Sequence, residues 1–111
     1  MAGRNQNITV DEGTHHTFGF DVSSLGDLTE CELVWKLAHN VESNPIIVFK
    51  LSEGDIEIDD GVALIHLEPE HTLEKELKVN NYHELKFIDS NGQVDIKSSG
   101  RLSVRPTLAG K

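Results

Sequence analysis

Cysteine, aromatic residues and positive charge are all scarce in this chain of 111 residues. The single cysteine, Cys31, excludes a disulfide within the chain. Folding in a reducing compartment, or in one before export as part of an assembly, is therefore expected. Aromatic residues make up 5% of the chain, too few for the stacking platform of a carbohydrate-binding face or an RNA-binding sheet. Lys and Arg number 10 against 19 Asp and Glu, the formal net charge is −9, and the basic residues form no run. A surface that tracks phosphates needs clustered cations to release counterions, so a nucleic-acid partner is not expected. The same acidity disfavours anionic membranes. No stretch approaches the ~20 apolar residues of a membrane span. The opening residues MAGRNQNITVDEG hold no apolar core of signal-peptide length. Without such a signal, the sequon Asn7-Ile8-Thr9 is coincidental.

Catalytic and metal-binding motifs are missing as well. Ser, Asp and His form no nucleophile elbow, and there is no glycine-rich phosphate loop. The histidines are His15, His16, His39, His66, His71 and His83, and no pair has the spacing of a zinc motif. His16, His66 and His83 lie on predicted neighbouring strands and are a trio able to meet around a metal; solvated or half-buried histidines are the preferred reading. The run Asp55-Ile56-Glu57-Ile58-Asp59-Asp60-Gly61 fails the EF-hand pattern. Its glycine falls one place late, and His66 stands where the final glutamate belongs. The interleaved isoleucines fit a strand whose acidic outer face resists edge-to-edge pairing, with a loose calcium site at Asp59 and Asp60 as the alternative. Cys31 shares parity with Leu33 and Trp35, which predicts a buried, inert thiol. The parity of Trp35 with Leu33 and Leu37 likewise predicts core packing over ligand stacking. The expectation is a chain with no catalytic residue, no cofactor and no metal.

What the chain does have is alternation with a period of two, which sends one set of side chains to a core face and the other to solvent. His16, Phe18, Phe20 and Val22 form one series, and Cys31, Leu33, Trp35 and Leu37 a second. Ile47, Phe49 and Leu51 follow, then Ile56 and Ile58, then Ala63, Ile65 and Leu67. Leu85 and Phe87, Val94 and Ile96, and Leu102 and Val104 complete the set. Turn signals punctuate them at Asp11-Glu12-Gly13, Leu25-Gly26-Asp27, Asn44-Pro45, Ser52-Glu53-Gly54, Asp60-Gly61 and Asn91-Gly92. Many short strands at this spacing read as a sandwich or small barrel.

Asn91-Gly92 is the strongest hairpin signal, because both residues tolerate the positive φ of a type I′ turn. Ser98-Ser99-Gly100 predicts a bend or bulge in the last strand. Tyr82, at the mouth of the preceding strand, matches the tyrosine that returns its hydroxyl to nearby backbone in immunoglobulin-like sandwiches. In that frame the second cysteine of antibody domains falls at position 84, which holds Glu84. Glu68-Pro69-Glu70-His71-Thr72 opens a turn of helix, with Leu73 and Leu77 on one helical face; Leu73, Leu77 and Val79 also share strand parity. The predicted fold is all-β: an immunoglobulin-like antiparallel β-sandwich of about seven to eight strands, with a short helical turn near residues 69–76. The sandwich is expected over residues 7–106, between a flexible N-terminal tail (1–6) and a C-terminal tail (107–111). Its framework residues are Trp35, Tyr82, Asn91, Gly92 and Gly100.

In order and spacing, several stations resemble the small immunoglobulin-like domains of tailed-bacteriophage virion proteins, such as the N-terminal domain of upper baseplate proteins. They are Asp27-Leu28-Thr29, Val34-Trp35-Lys36, Ile56 to Gly61, Leu67-Glu68-Pro69-Glu70-His71-Thr72, Tyr82-His83-Glu84-Leu85, Asn91-Gly92, and Gly100-Arg101-Leu102-Ser103-Val104. The resemblance runs from Thr14 to Pro106 and involves framework positions alone. It implies a non-enzymatic virion protein, made in the host cytoplasm, that docks on other virion proteins in multiple copies and forms a homo-oligomer within the assembly. In baseplate proteins the domain is a module of a longer chain; here a small separate subunit of tail, neck or baseplate is expected. A capsid decoration protein and a carbohydrate- or host-surface-binding module are the alternatives.

Overall fold

A computed structural model describes residues 4–73, 77 and 79–107. Its strand segments are β1 (Arg4–Asn5), β2 (Ile8–Asp11), β3 (His16–Asp21), β4 (Glu32–Ala38), β5 (Ile47–Lys50), β6 (Ile56–Asp59), β7 (Val62–Leu67), β8 (Asn80–Ile88) and β9 (Val94–Arg105). One sheet has the order β1-β9-β8-β4-β5, with β2 joining β9 on the same edge as β1. The other has the order β3-β7-β6. The chain crosses between sheets after β2, β3, β5 and β7, as a Greek-key sandwich requires. This is an all-β, immunoglobulin-like sandwich.

The alternating apolar series become its interior. Phe20, Val22, Leu33, Trp35, Leu37, Ile47, Ile56, Ala63, Ile65, Leu67, Leu85, Leu102 and Val104 pack with Val10 into one buried cluster. Trp35 on β4 is fully buried, with Phe18 ring-to-ring at 5.5 Å and Phe49 at 5.7 Å. The helical turn is present as α1 (Pro69–Leu73). Residues 74–76 lie outside the described residues, whereas Leu77 is described: it is not helical and packs half-buried against the core.

Several expectations are corrected. The sandwich is not purely antiparallel: β1 and β2 run parallel to β9, Arg4 opposite Ser98 and Asp11 opposite Arg105. Residues 4–6 therefore belong to the sheet, and the backbone N–H of Gln6 donates to Ser99 O at 2.8 Å. At the other end Thr107 is tied down too, its hydroxyl donating to Glu12 O at 2.6 Å. Cys31 lies half-buried just before β4 and is not in the core.

The turn at Asn91-Gly92 is not type I′, because Gly92 has φ 83° while Asn91 is not in the positive-φ region. Gly92 N donates to Asp89 O and Asp89 N to Gln93 O. That is a three-residue hairpin loop with its left-handed residue last. The Asp89 carboxylate, accepting from the N–H groups of Asn91 and Gln93, supplies the reason. The tight two-residue hairpin sits at Asp60-Gly61 instead, with φ of 50° and 78° between the paired Asp59 and Val62.

A bulge interrupts β8 against β9: Leu85 pairs with Ser98 but Lys86 with Ile96. The extra residue, Lys97, reverses the faces of β9. Leu102 and Val104 are buried, while Val94, of the same parity, is 58% exposed and Ile96 half-buried. The bulge thus falls just before the predicted Ser98-Ser99-Gly100. Gly100 has a different reason: a Cβ there would stand 2.4 Å from the backbone oxygen of Gln6. It is glycine because the N-terminal strand crosses directly over it.

Candidate functional site

The interior holds one polar group that needs explaining. His83 is fully buried on β8, its ring 6.0 Å from Trp35 and 5.9 Å from Phe20 of the opposite sheet. Trp35 Nε1–H donates to its Nδ1 at 3.3 Å, and its Nε2–H donates to Gln6 O at 2.7 Å. Both nitrogens are satisfied by a neutral ring with its proton on Nε2. Burial holds the imidazole below its ordinary pKa, against the opposing pull of the Gln6 carbonyl. Phe20 and His83 occupy, beside the tryptophan, the place where antibody domains cross-link their sheets. The frame is therefore one residue earlier than expected, at position 83 and not 84.

Tyr82 consequently points to the other face. Its hydroxyl donates to Glu84 Oε2 at 2.8 Å and not to backbone, so there is no tyrosine corner. Asn81, 3% exposed, takes that place, its Nδ2 donating to Leu102 O at 3.2 Å.

The histidine trio does not assemble. His83 is buried in the larger sheet, whereas His16 and His66 lie on β3 and β7 of the smaller one. His16 Nε2 accepts from the backbone N–H of Asp11 at 3.0 Å. His66 contacts Thr17 and Glu57 on the outer face, both at 2.9 Å. No group of three His, Cys, Asp or Glu able to hold a metal exists among the described residues.

A cleft of about 480 Å³ opens where the sheet edges part, lined by Gln6, Gly19, Asp21, Leu25, Lys97 and Ser98. Gln6 Nε2 crosses it to donate to Gly19 O at 3.1 Å, and Lys97 is engaged by Asp95 at 3.0 Å.

The outer face of the larger sheet has a more pronounced chemistry. Register places Lys50, Val34 and Lys86 side by side across β5, β4 and β8. The next row is Val48, Lys36 and Glu84, continuing to Ser99; the third is Ala38, Tyr82 and Arg101. Lys36, Lys50, Lys86 and Arg101, out of ten Lys and Arg in the chain, thus share one face of a molecule whose net charge is −9. Val34 is only 5% exposed there, between two lysines whose methylene stems can cover it while the ammonium groups stay in water. Val48 is 40% exposed, and Val41 in the adjoining loop 71%. A groove of about 260 Å³ runs between Lys36, Val41, Pro45, Tyr82, Glu84 and Lys86. Burial, then the charges of Lys86 and Lys50, lower the Lys36 ammonium pKa, with Glu84 opposing. Burial and the Glu84 carboxylate raise the Tyr82 phenol.

The smaller sheet is its electrostatic opposite. Asp21, Val62 and Asp59 form a row across β3, β7 and β6, and Gly19, Leu64 and Glu57 the next. β6 is an edge strand, as its acidic outer face suggested. Among the described residues no helix is long and apolar enough to cross a membrane.

The sequence signalled the acidic strand β6 but not the basic face, because Lys36, Lys50, Lys86 and Arg101 are dispersed along the chain and only strand register brings them together. No family model and no curated protein matches the chain. Among solved structures it is similar to murine CRIg at 12% identity, covering 95% of this chain and 97% of that one with a TM-score of 0.46.

Proposed function

We propose that this chain is a non-enzymatic docking protein that seats on a larger protein assembly through the outer face of the β9-β8-β4-β5 sheet. The observation that carries the reading is the concentration of Lys36, Lys50, Lys86 and Arg101 around an apolar strip on one face of an acidic molecule. Such a surface attracts and orients a partner of opposite potential, and its valines and tyrosine supply area to bury. A rigid sheet presents these groups without the ordering cost a loop would carry. A glycan-binding role asks for clustered exposed aromatics, and this face has Tyr82 alone.

The finer reading places the assembly in a tailed-phage virion, as a component of tail, neck or baseplate. Its support is the order of sequence stations from Asp27 to Val104 that resembles phage immunoglobulin-like domains. The partners would then be other virion proteins, the location the particle, and no cofactor would be needed.

The test is incorporation. Purified wild-type chain and a Lys50→Glu/Lys86→Glu variant would be added to phage particles lacking this protein, and co-sedimentation measured. Wild type should pellet with the particles and the variant should lose at least tenfold of that binding, with its thermal midpoint retained. Equal binding of both would remove the face from the proposal, and wild type that binds no particle would remove the virion.

A further inference from the structure

The two outer faces of this molecule match one another. On the larger sheet the first row reads Lys50, Val34, Lys86: cation, valine, cation across three adjacent strands. On the smaller sheet the corresponding row reads Asp21, Val62, Asp59: anion, valine, anion across three adjacent strands. Strands in any sheet stand about 4.8 Å apart, so the backbone positions of the flanking residues in both rows are separated by about 9.6 Å. The charge match is confined to this row: in the next, Val48, Lys36 and Glu84 stand against Gly19, Leu64 and Glu57, which sets Lys36 over Leu64. Of the Lys and Arg in the described strands, none lies on β3, β6 or β7.

We propose that, beyond the first copy seated on the assembly, the occupant of the basic face is a second copy of this chain, the row Lys50–Val34–Lys86 of one seating on the row Asp21–Val62–Asp59 of the next. The proposal rests on the docking reading above and names the partner. The contact joins two different faces, so it is heterologous. Each copy keeps one face open, and copies add head to tail.

Size decides how strong the contact is. Three strands of about six residues cover roughly 14 by 20 Å, well below the ~800 Å² per partner of a standard stable interface. Two molecules of charge −9 also repel at long range, although a Debye length of about 8 Å confines that repulsion at physiological salt. A single contact is therefore weak. The chain is a monomer in dilute solution and stacks where an assembly holds copies close together, because tethering raises their effective concentration to about millimolar.

Sedimentation velocity from 10 µM to 1 mM tests this with the wild type, Lys50→Glu/Lys86→Glu, and Glu57→Lys/Asp59→Lys. The wild-type sedimentation coefficient should rise with concentration without levelling at a dimer, and the rise should vanish in 500 mM salt. Each variant alone should stay monomeric. An equimolar mixture of the two variants should associate, since each retains the face the other has lost. Wild type that remains monomeric at 1 mM, or a mixture that stays unassociated, overturns the proposal. Single substitutions Lys86→Glu and Asp59→Lys serve if a double variant unfolds, and each should weaken the wild-type rise at least threefold. Particle binding separates the two readings. If the chains do not self-associate and only the basic-face variant fails to bind particles, the docking face stands and its occupant is another protein. If neither variant loses particle binding, the docking reading falls as well.

Discussion

With Nδ1 accepting from Trp35 and Nε2–H donating to Gln6, His83 has no place for a second ring proton. Protonation would set an N–H against the indole N–H inside a fully buried site. Its folded pKa is depressed, so between the folded and unfolded values the unfolded chain binds more protons and stability rises with pH. The contribution is complete above the unfolded value of about 6.5 and is lost as pH falls through the folded one. Between pH 7.5 and 5.5 this one group should lower the stability of the wild type. Urea unfolding at the two pH values should show that loss in the wild type and not in His83→Gln; an equal loss in both would remove His83 as its source. The importance of Trp35 was legible because its neighbours alternate cleanly. His83 was not, because Tyr82 lies beside it and matched a known corner motif. The one-residue difference exchanges inside for outside on a strand, and the deciding signal was the parity of Leu85, which His83 shares and Tyr82 does not.

At the scale of elements, β1 and β2 depend on Gly100. A methyl group there would collide with the carbonyl oxygen and carbon of Gln6, at 2.4 and 2.8 Å, and backbone cannot rotate aside as a side chain can. Gly100→Ala should therefore lower stability by about 1–3 kcal/mol. The damage should be local: the amides of Gln6 and Arg101, which donate to Ser99 O and Asn7 Oδ1, should exchange with deuterium at least tenfold faster. Unchanged exchange would mean the strand does not cross as closely as described. The strands β3, β4 and β7 could be read from the period-two series Phe18–Phe20, Leu33–Trp35–Leu37 and Ala63–Ile65–Leu67. The N-terminal strand could not. Arg4 to Gln6 are polar, and what holds them is backbone pairing with β9 and a carbonyl aimed at His83. The bulge was legible to within a residue, from Ser98-Ser99-Gly100, but its effect was hidden, since Val94 and Ile96 share parity with Leu102 and Val104 and only the inserted Lys97 separates their fates.

For the molecule as a whole, charge sets behaviour in solution. The net charge of −9 keeps copies apart near neutral pH, and that protection disappears near the isoelectric point of 5.0. Solubility in polyethylene glycol should be lowest near pH 5.0 and rise toward pH 7.5; a flat profile would show that repulsion does not govern it. The basic face has no counterpart in the linear sequence, where Lys36, Lys50, Lys86 and Arg101 lie far apart. It arises because β4, β5, β8 and β9 each contribute a base to the same side of one sheet.

The parallel pairing of β2 with β9 also determines how the molecule bears load. The chain enters this edge beside Ser98 and leaves it beyond Arg105, which pairs with Asp11. A pull applied outward on those two segments slides the strands lengthwise along each other. Every ladder hydrogen bond from Ile8 to Arg105 is then strained together, and none can be opened one at a time as in a zipper. A module built this way resists extension along that axis and yields abruptly.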